Sequence, residues 1–292
     1  MKIAIHGKEF KKETAPVVLQ IFEILHAANC QLYVSKKFEA WLKHPGFRNY
    51  RWNTYVPDAS VLDGMNFMIS LGGDGTLLES VTHIGEKEIP VLGINTGRLG
   101  FLATISKDDV QQALHKVLAG AYSLDQRAVL KMESDQPIFG KMNFALNDFS
   151  VVKKDSSSMI TIHTFIDGEL LNTYWADGII IATPTGSTGY SLSCGGPLIF
   201  PRSRNFVITP VSPHNLTVRP IVVSDNSEIS FQVEGRSRKF LVSLDSRIAT
   251  VDHTVKLCVR KGDFSVQLIQ LEGQHYFKTL RQKLNWGLDI RN

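Results

Sequence analysis

Short apolar runs alternate with helical spacings over the first part of the chain. Lys2 to Ile5, Gln31 to Val34, Phe67 to Leu71 and Val91 to Ile94 read as strands, and Pro16 to Ala28 as a helix. The segment Lys107 to Leu118 repeats the helical pattern through Val110, Ala113, Leu114, Val117 and Leu118, with Ser106 as the expected N-cap and Gly120 as the stop. Strands separated by helices imply a parallel sheet with helices on its faces.

Beyond about residue 122 the texture becomes β-rich. Met159 to Ile166 and Leu170 to Tyr174 flank an Asp167-Gly168 turn, and Ile179 to Ala182 and Phe206 to Thr209 are further runs. Ile229 to Val233 with Lys239 to Leu244, and Val255 to Val259 with Ser265 to Leu271 across Lys261-Gly262-Asp263, read as hairpins. Successive hairpins without helices predict an all-β domain of sandwich type. Tyr276 to Leu284 returns to helical spacing, with Phe277, Leu280 and Leu284 on one face. The expected division is an α/β domain over 1–121, a β-rich domain over 122–272, and a terminal segment over 273–292 that can pack back on the first domain.

Length fits this division, because 292 residues are enough for about two domains. Hydrophobic content of 43% and charged content of 21% are ordinary for a globular chain and exclude disordered or collagen-like classes. No apolar run approaches the roughly 20 residues that span a bilayer, and Met1 to Gly7 reads as a strand entering a turn rather than a signal peptide. The expectation is a cytoplasmic protein without a membrane partner. Cys30, Cys194 and Cys258 are odd in number and widely spaced, which suits reduced structural thiols. The net charge of +4 is mildly basic, and the nearest thing to a basic cluster, Arg236, Arg238 and Lys239, reads as a hairpin turn. It lacks aromatic interleaving, so no nucleic-acid partner is expected, and the positive balance suits small polyanions.

Three constellations carry chemistry. Gly72-Gly73-Asp74-Gly75-Thr76 joins an apolar strand to an amphipathic helix. Glycines let an anion approach main-chain N–H groups, and the helix that follows points its positive end at the same spot. A carboxylate there would repel a bare phosphate, so Asp74 makes sense facing a hydroxyl that attacks the phosphate, or a metal riding on it. The plainer reading is a turn residue and helix N-cap. The second constellation is Asp177-Gly178-Ile179-Ile180-Ile181-Ala182-Thr183-Pro184-Thr185-Gly186-Ser187-Thr188-Gly189-Tyr190-Ser191, a strand feeding a loop of hydroxyls, glycines and one tyrosine suited to hydrogen-bonding and stacking on a nucleobase. The third, Asn147-Asp148, pairs an amide with a carboxylate, able to read a base edge and a sugar hydroxyl, or simply to cap a turn. His6, His26, His83, His163 and His253 show no metal-ligand spacing, and no Gly-x-Ser-x-Gly elbow occurs.

Together these residues resemble the NAD kinase family over nearly the whole chain. Gly72 to Thr76 looks like the family's first signature, Asn147-Asp148 like its Asn-Glu or Asn-Asp pair, and Asp177 to Ser191 like its second signature. Asn95-Thr96-Gly97-Arg98-Leu99-Gly100-Phe101-Leu102, Gly195-Gly196-Pro197, Pro213-His214 and Leu244-Asp245-Ser246 fit as well. The resemblance implies transfer of the γ-phosphoryl group of ATP, carried with Mg²⁺ or another divalent cation, to the adenosine 2′-hydroxyl of NAD. It implies Asp74 as the catalytic residue facing that hydroxyl, and Gly72, Gly73, Gly75 and Thr76 on the ATP phosphates, with no protein side chain as a direct metal ligand. On NAD it implies Asp74, Gly75, Asn147, Asp148, Thr188 and Tyr190, with Asp177 and the backbone of Gly189, Tyr190, Ser191, Leu192 and Ser193 completing the pocket. A homodimer or homotetramer is implied too. A carboxylate is far too weak a base to ionise a ribose hydroxyl beforehand, so Asp74 is expected to orient it and accept its proton late.

The chain departs from the family pattern at Gly189, commonly Ala; at Trp175, often Arg; and at Ser246-Arg247, often Gly-Gln. Trp175, Ser212 and Arg247 remain further pocket candidates, and His214 reads as structural. Lipid kinases of the diacylglycerol and sphingosine type share the Gly-Gly-Asp-Gly turn but match Asp177 to Ser191 poorly. A catalytically silent NAD-binding sensor is the alternative of another class.

Overall fold

The computed structural model describes residues 1–97, 100–154 and 158–287. The chain forms two compact units, one of residues 1–126 with 266–292 and one of residues 127–265.

The first unit is built on β1 (Lys2–Gly7), α1 (Ala15–Ala27), β2 (Gln31–Ser35), a short α2 (Lys36–Glu39), β3 (Asn53–Tyr55), β4 (Phe67–Leu71), α3 (Asp74–Ile84), β5 (Val91–Ile94) and α4 (Val110–Leu118). The strands pair in parallel in the order β5-β4-β1-β2-β3. β1 and β4 are neighbours whose chains continue to opposite sides of the sheet, a topological switch point. Ligands of open α/β sheets bind beyond the carboxyl ends of such strands, and there β4 runs into Gly72. The α1 side chains Val18, Ile21, Phe22 and Leu25 share one core with Ile3 and Ile5 of β1 and with Val110, Leu114 and Val117 of α4. Gly120 ends the last turn at positive φ, as its stop role requires. The capping at the other end differs from expectation. Lys107–Asp109 forms a 3₁₀ turn before α4, and the Ser106 hydroxyl donates to Asp109 Oδ2 instead of accepting a backbone N–H.

The second unit contains β6 (Ser123–Ser134, entering from the first unit), β7 (Phe144–Ala145), β8 (Asp148–Lys153), β9 (Ile160–Ile166), β10 (Glu169–Ala176), β11 (Gly178–Ala182), α5 (Tyr190–Ser193), β12 (Asn205–Val211), β13 (Ile221–Ser224), β14 (Ile229–Glu234), β15 (Lys239–Leu244), β16 (Arg247–Asp252) and β17 (Leu257–Gln270). β10-β9-β14-β17 form one antiparallel layer and β13-β12-β11-β8-β15-β16 the other. Phe149, Ile179, Ile181, Phe206 and Val242 from one layer meet Ile162, Phe231 and Val259 from the other in a shared core. Ile180, Ala182 and Val207 turn to the outer face, where Cys194 and Ile199 cover them. Burial on both faces explains why β11 reads as an unbroken apolar run. The last residues of β17 belong to the first unit, where Leu268 pairs with Val91, and α6 (Tyr276–Leu284) follows. Of its expected apolar face only Leu280 is buried, while Phe277 and Leu284 are exposed. Among the described residues, no helix is long and apolar enough to cross a membrane.

Two expected hairpins are absent. Lys261-Gly262-Asp263 is no turn but the interior of β17, where a Cβ on Gly262 would lie 2.5 Å from Val129 Cγ2 on the adjacent β6, so this glycine serves a close approach. β14 and β15 do not pair either; the link carrying Arg236 and Arg238 crosses between the two layers. Ile229, Phe231 and Val233 face the same core from one sheet that Phe240, Val242 and Leu244 face from the other. Period-2 alternation alone cannot separate that arrangement from a hairpin.

Candidate active site

In the first unit, the site grows out of the β4–α3 turn. Gly72 has φ +154, and a Cβ there would overlap the Thr76 hydroxyl, so packing requires glycine. Gly73 and Gly75 differ: among the described residues beyond their own chain neighbours and helix backbone, nothing lies within 4 Å of a Cβ on Gly73, and Lys8 Nζ, at 4.0 Å, is what approaches one on Gly75. Their lack of side chains leaves open space over the positive end of α3, where an anion can reach the backbone. Thr76 is buried below the turn.

Gly73 is the N-cap, and Asp74 is the first helical residue, so the plain capping role fails for Asp74. Its carboxylate reaches instead to the chain after β5. Oδ2 accepts from Phe101 N at 2.8 Å, and Oδ1 from Leu102 N and Ala103 N at 3.0 Å each. Asn95 braces the same loop, accepting from Gly97 N at 2.7 Å. Arg98 and Leu99 of this segment lie outside the described residues. A Cβ on Gly100 would overlap the Asp74 carboxylate. Gly100→Ala should therefore push the carboxylate out of place and lower turnover by about tenfold, since small displacements of a reacting group are costly. Unchanged kcat in a folded Gly100→Ala variant would show that Asp74 needs no such support.

In the second unit, Asn147 and Asp148 are held by Asp245. Its carboxylate accepts from Leu146 N (3.0 Å), Asn147 N (2.7 Å) and Asp148 N (3.3 Å), while its own N–H donates to Asp148 O at 2.9 Å. Asp245 sits at φ +53, an uncommon backbone state for a residue with a side chain. Arg247 lies beside this clamp, 3.9 Å from Asp245 Oδ2, with its guanidinium donating to the Met142 and Phe144 carbonyls and lying over the Phe139 and Phe144 rings. That placement makes Arg247 a support of the Phe144–Asp148 backbone. A Cβ on Gly186 would overlap the Asn147 backbone, and one on Gly189 would lie 3.7 Å from both Asn147 Nδ2 and Asp148 Oδ2. The second signature thus folds directly against the Asn-Asp pair. Among the described residues Asn147 Oδ1 is buried without a hydrogen-bond partner, an unspent acceptor.

The remaining second-signature residues divide between scaffold and surface. The Thr188 hydroxyl donates to Thr185 O, and the fully buried Ser191 shares its hydroxyl with Thr209 while its carbonyl accepts from Cys194 N and Gly196 N. Tyr190 is 46% exposed, Leu192 is half-buried and Ser193 exposed. Asp177 pairs with Lys153 at 2.6 Å. Trp175 is 47% exposed, its ring 4.5 Å from that of His214, whose N–H donates to Trp175 O; the exposed Ser212 at φ +46 lies two residues before. Trp175 is therefore no packed strand aromatic.

Asp148 is 7% exposed, and burial, reinforced by the Asp245 charge, pushes its carboxyl up to about 7. Burial raises Asp245 too, against three amide donors and Arg247 that favour its charge. An unfolded Asp titrates near ~3.9. Between there and about pH 7 the folded Asp148 keeps a proton that the unfolded one has lost, so its cost to stability grows as pH rises and is complete above that range. The gain of Asp148→Asn over the wild type should therefore be larger at about pH 8 than at about pH 5. Urea midpoints that differ by the same amount at both pH values would contradict it.

Sequence reasoning named Asp245 and Gly100 to Leu102 only as fitting segments. Neither the clamp nor the cradle carries a local signal, since each joins residues far apart in the chain. The histidines bring a second difference: despite their lack of metal-ligand spacing, His6 and His83 meet Glu79 in the first unit.

A strand-to-glycine-turn at a switch point, with an oriented carboxylate at a helix N-terminus, is an arrangement suited to a phosphotransferase. The model of the ATP-NAD kinase N-terminal domain matches residues 3–122, and that of the ATP-NAD kinase C-terminal domain matches residues 146–271. The chain is 50% identical over 292 residues to the NAD kinase of Cytophaga hutchinsonii and 44% identical over 297 to that of Flavobacterium psychrophilum, covering 100% of each chain in both cases. Among solved structures, yeast NADH kinase complexed with NADH superposes with a TM-score of 0.88 at 22% identity, covering 100% of this chain and 89% of the other. The NAD kinase from Archaeoglobus fulgidus in complex with ATP gives 0.77 at 24% identity, covering 98% and 99%. These two establish the shared fold. The chain belongs to the NAD kinase family, and its activity is that of an NAD kinase.

Proposed function

We propose that the chain transfers the γ-phosphoryl group of ATP to the adenosine 2′-hydroxyl of NAD, giving NADP, with Asp74 as the residue that orients the hydroxyl and takes its proton. The observation that carries this reading is the way Asp74 is held. A carboxylate oxygen has about two acceptor positions. Oδ1 is filled by Leu102 N and Ala103 N, whereas among the described residues Oδ2 accepts only Phe101 N. Oδ2 thus keeps a lone pair for a substrate hydroxyl, and Oδ1 fixes the orientation. As the O–P bond forms and the bond to the leaving ADP breaks, the hydroxyl proton passes to Oδ2.

The ATP phosphates sit on the backbone of Gly72, Gly73 and Gly75, with Thr76 supporting the turn from below. Mg²⁺ enters as part of the Mg-ATP substrate, because the one open Asp74 lone pair is taken by the substrate hydroxyl and such ions are often held by phosphate and water. Asn147 and Asp148 take the adenosine end: the unspent Asn147 Oδ1 is an acceptor for the adenine amino group, and Asp148, raised to about 7, is a donor to a ring nitrogen in its protonated form and an acceptor for a sugar hydroxyl in its charged form. Thr188 and the exposed Tyr190 face the same adenosine. Asp177 and the backbone from Gly189 to Ser193 complete the dinucleotide pocket, and Trp175 with Ser212 offers an aromatic surface for the nicotinamide end. The donor and acceptor classes agree with the ATP and NADH held by the two solved relatives.

The working unit is a homodimer or homotetramer in the cytoplasm. β13 is an edge strand with Ile221 and Val222 exposed, and unpaired apolar edges favour pairing with another chain. The three cysteines are free thiols, as a reducing compartment keeps them.

An NAD analogue lacking only the adenosine 2′-hydroxyl tests the acceptor. It should bind and remain unphosphorylated, while NAD gives a product carrying a 2′-phosphate by phosphorus NMR. Phosphorylation of the analogue would place the acceptor elsewhere.

A further inference from the structure

His6 is the next-to-last residue of β1, and Glu79 and His83 lie four residues apart on one face of α3. Because β1 and β4 are parallel neighbours, the helix that follows β4 brings these three side chains together. Their ligand atoms all lie within 4.8 Å of one another. His6 Nε2 is 3.6 Å from Glu79 Oε2, and the two imidazole rings are 4.2 Å apart. His6 is fully buried, and among the described residues its Nε2 has no hydrogen-bond partner. A separation of 3.6 Å is long for a hydrogen bond. It is close to the edge of a tetrahedron of ligands around zinc, roughly 3.4 Å for bonds of about 2.1 Å.

The surroundings resemble those of a ligand set. His6 Nδ1 is engaged by the Ser35 hydroxyl at 2.8 Å, and His83 Nδ1 lies 3.3 Å from the Tyr55 hydroxyl. With the proton on Nδ1, each ring presents a lone pair on its other nitrogen, the arrangement that outer partners impose on metal-bound histidines. Glu79 Oε1 accepts from Lys37 Nζ at 2.6 Å, leaving Oε2 toward His6. Lys8 Nζ also stands 3.6 Å from Oε2, but its side chain is 49% exposed and free to swing into water.

We infer that His6, Glu79 and His83 form a binding site for one divalent transition-metal ion of the zinc class, completed by water in the fourth position. Two nitrogens and one carboxylate select zinc, cobalt or nickel over magnesium, which prefers six oxygens. Both histidines are uncharged near neutral pH, since burial lowers His6 to about 4 and His83 to about 3, so a metal need not displace a second ring proton. Glu79 and His83 lie five and nine residues beyond Asp74 on α3, so the bound ion pins that helix to β1 without touching the phosphate turn.

The test is zinc titration of chelator-treated full-length protein by calorimetry, free of ATP and NAD, with metal content measured after gel filtration. The inference expects one zinc per chain, a rise in Tm on zinc addition, and the strong visible bands of a four-coordinate ion when cobalt replaces zinc. Glu79→Gln and His83→Gln should each weaken binding by at least about tenfold. Glu79 is only partly buried, so Glu79→Gln guards against a misfolded His83 variant, and its metal-free Tm checks folding. No stoichiometric binding would overturn the inference, as would binding undiminished in both variants, which would put the ion on cysteines or surface groups. The titration needs no turnover, so it stands apart from the proposed reaction.

Discussion

Asp74→Asn should lower turnover by at least the roughly 10²-fold expected for loss of a general base while leaving NAD affinity within a few-fold of the wild type. The amide has one acceptor oxygen where the carboxylate has two. With that oxygen turned to Leu102 N and Ala103 N, the NH₂ group takes the place of Oδ2, facing Phe101 N–H and the substrate hydroxyl with donors only. The hydroxyl then has nowhere to send its proton. Leaving Phe101 N–H unpaired adds a modest stability loss, about 1–3 kcal/mol. The split between kcat and binding is the informative part. A fall in NAD affinity with unchanged kcat would make Asp74 a binding residue, and a near-normal rate would remove it from the mechanism.

Asp245→Ala should have the largest effect on stability. It strips the acceptor from three consecutive amides, Leu146 to Asp148, in a largely buried region, and leaves Arg247 without its carboxylate. Each buried unpaired N–H costs about 1–3 kcal/mol, and breaking a buried charge pair about 3–5 kcal/mol. Some of this returns, because Asp245 itself is desolvated and Asp148 loses a repelling neighbour. A net loss of several kcal/mol is expected in urea unfolding. The folded fraction should bind NAD poorly, since Asn147 and Asp148 lose their fixed backbone. A loss below about 1 kcal/mol would mean that the loop holds its shape without the clamp.

Most of the α/β unit was legible because β1, β2, β4 and β5 are separate apolar runs and α1, α3 and α4 repeat every three to four residues, whereas β3, Asn53–Tyr55, has no apolar run and the short α2 has no repeat to read. The sandwich was legible as a class, but its wiring was not. β14 and β15 alternate as hairpin strands do, yet they face one core from two sheets, and Lys261-Gly262-Asp263 has turn composition while its glycine serves the approach of Val129. The two signatures stood out since their glycines and hydroxyls cluster in sequence. What supports them did not. Asp74 is separated by 27 to 29 residues from the amides it binds, and Asp245 by 97 to 99 from those it clamps. Long-range partnerships of a carboxylate with backbone N–H groups leave no side-chain pattern, because any residue type can supply the amide. His6 and His83 likewise meet only through the parallel pairing of β1 with β4.

The central claim is most directly tested by incubating the purified chain with NAD and Mg-ATP and reading NADP with an NADP-specific dehydrogenase. The account predicts NADP that accumulates with time, needs both ATP and the divalent ion, and nearly vanishes with Asp74→Asn. Absence of NADP from the wild type, with NAD still bound in calorimetry, would contradict it and leave a dinucleotide sensor in place of a kinase.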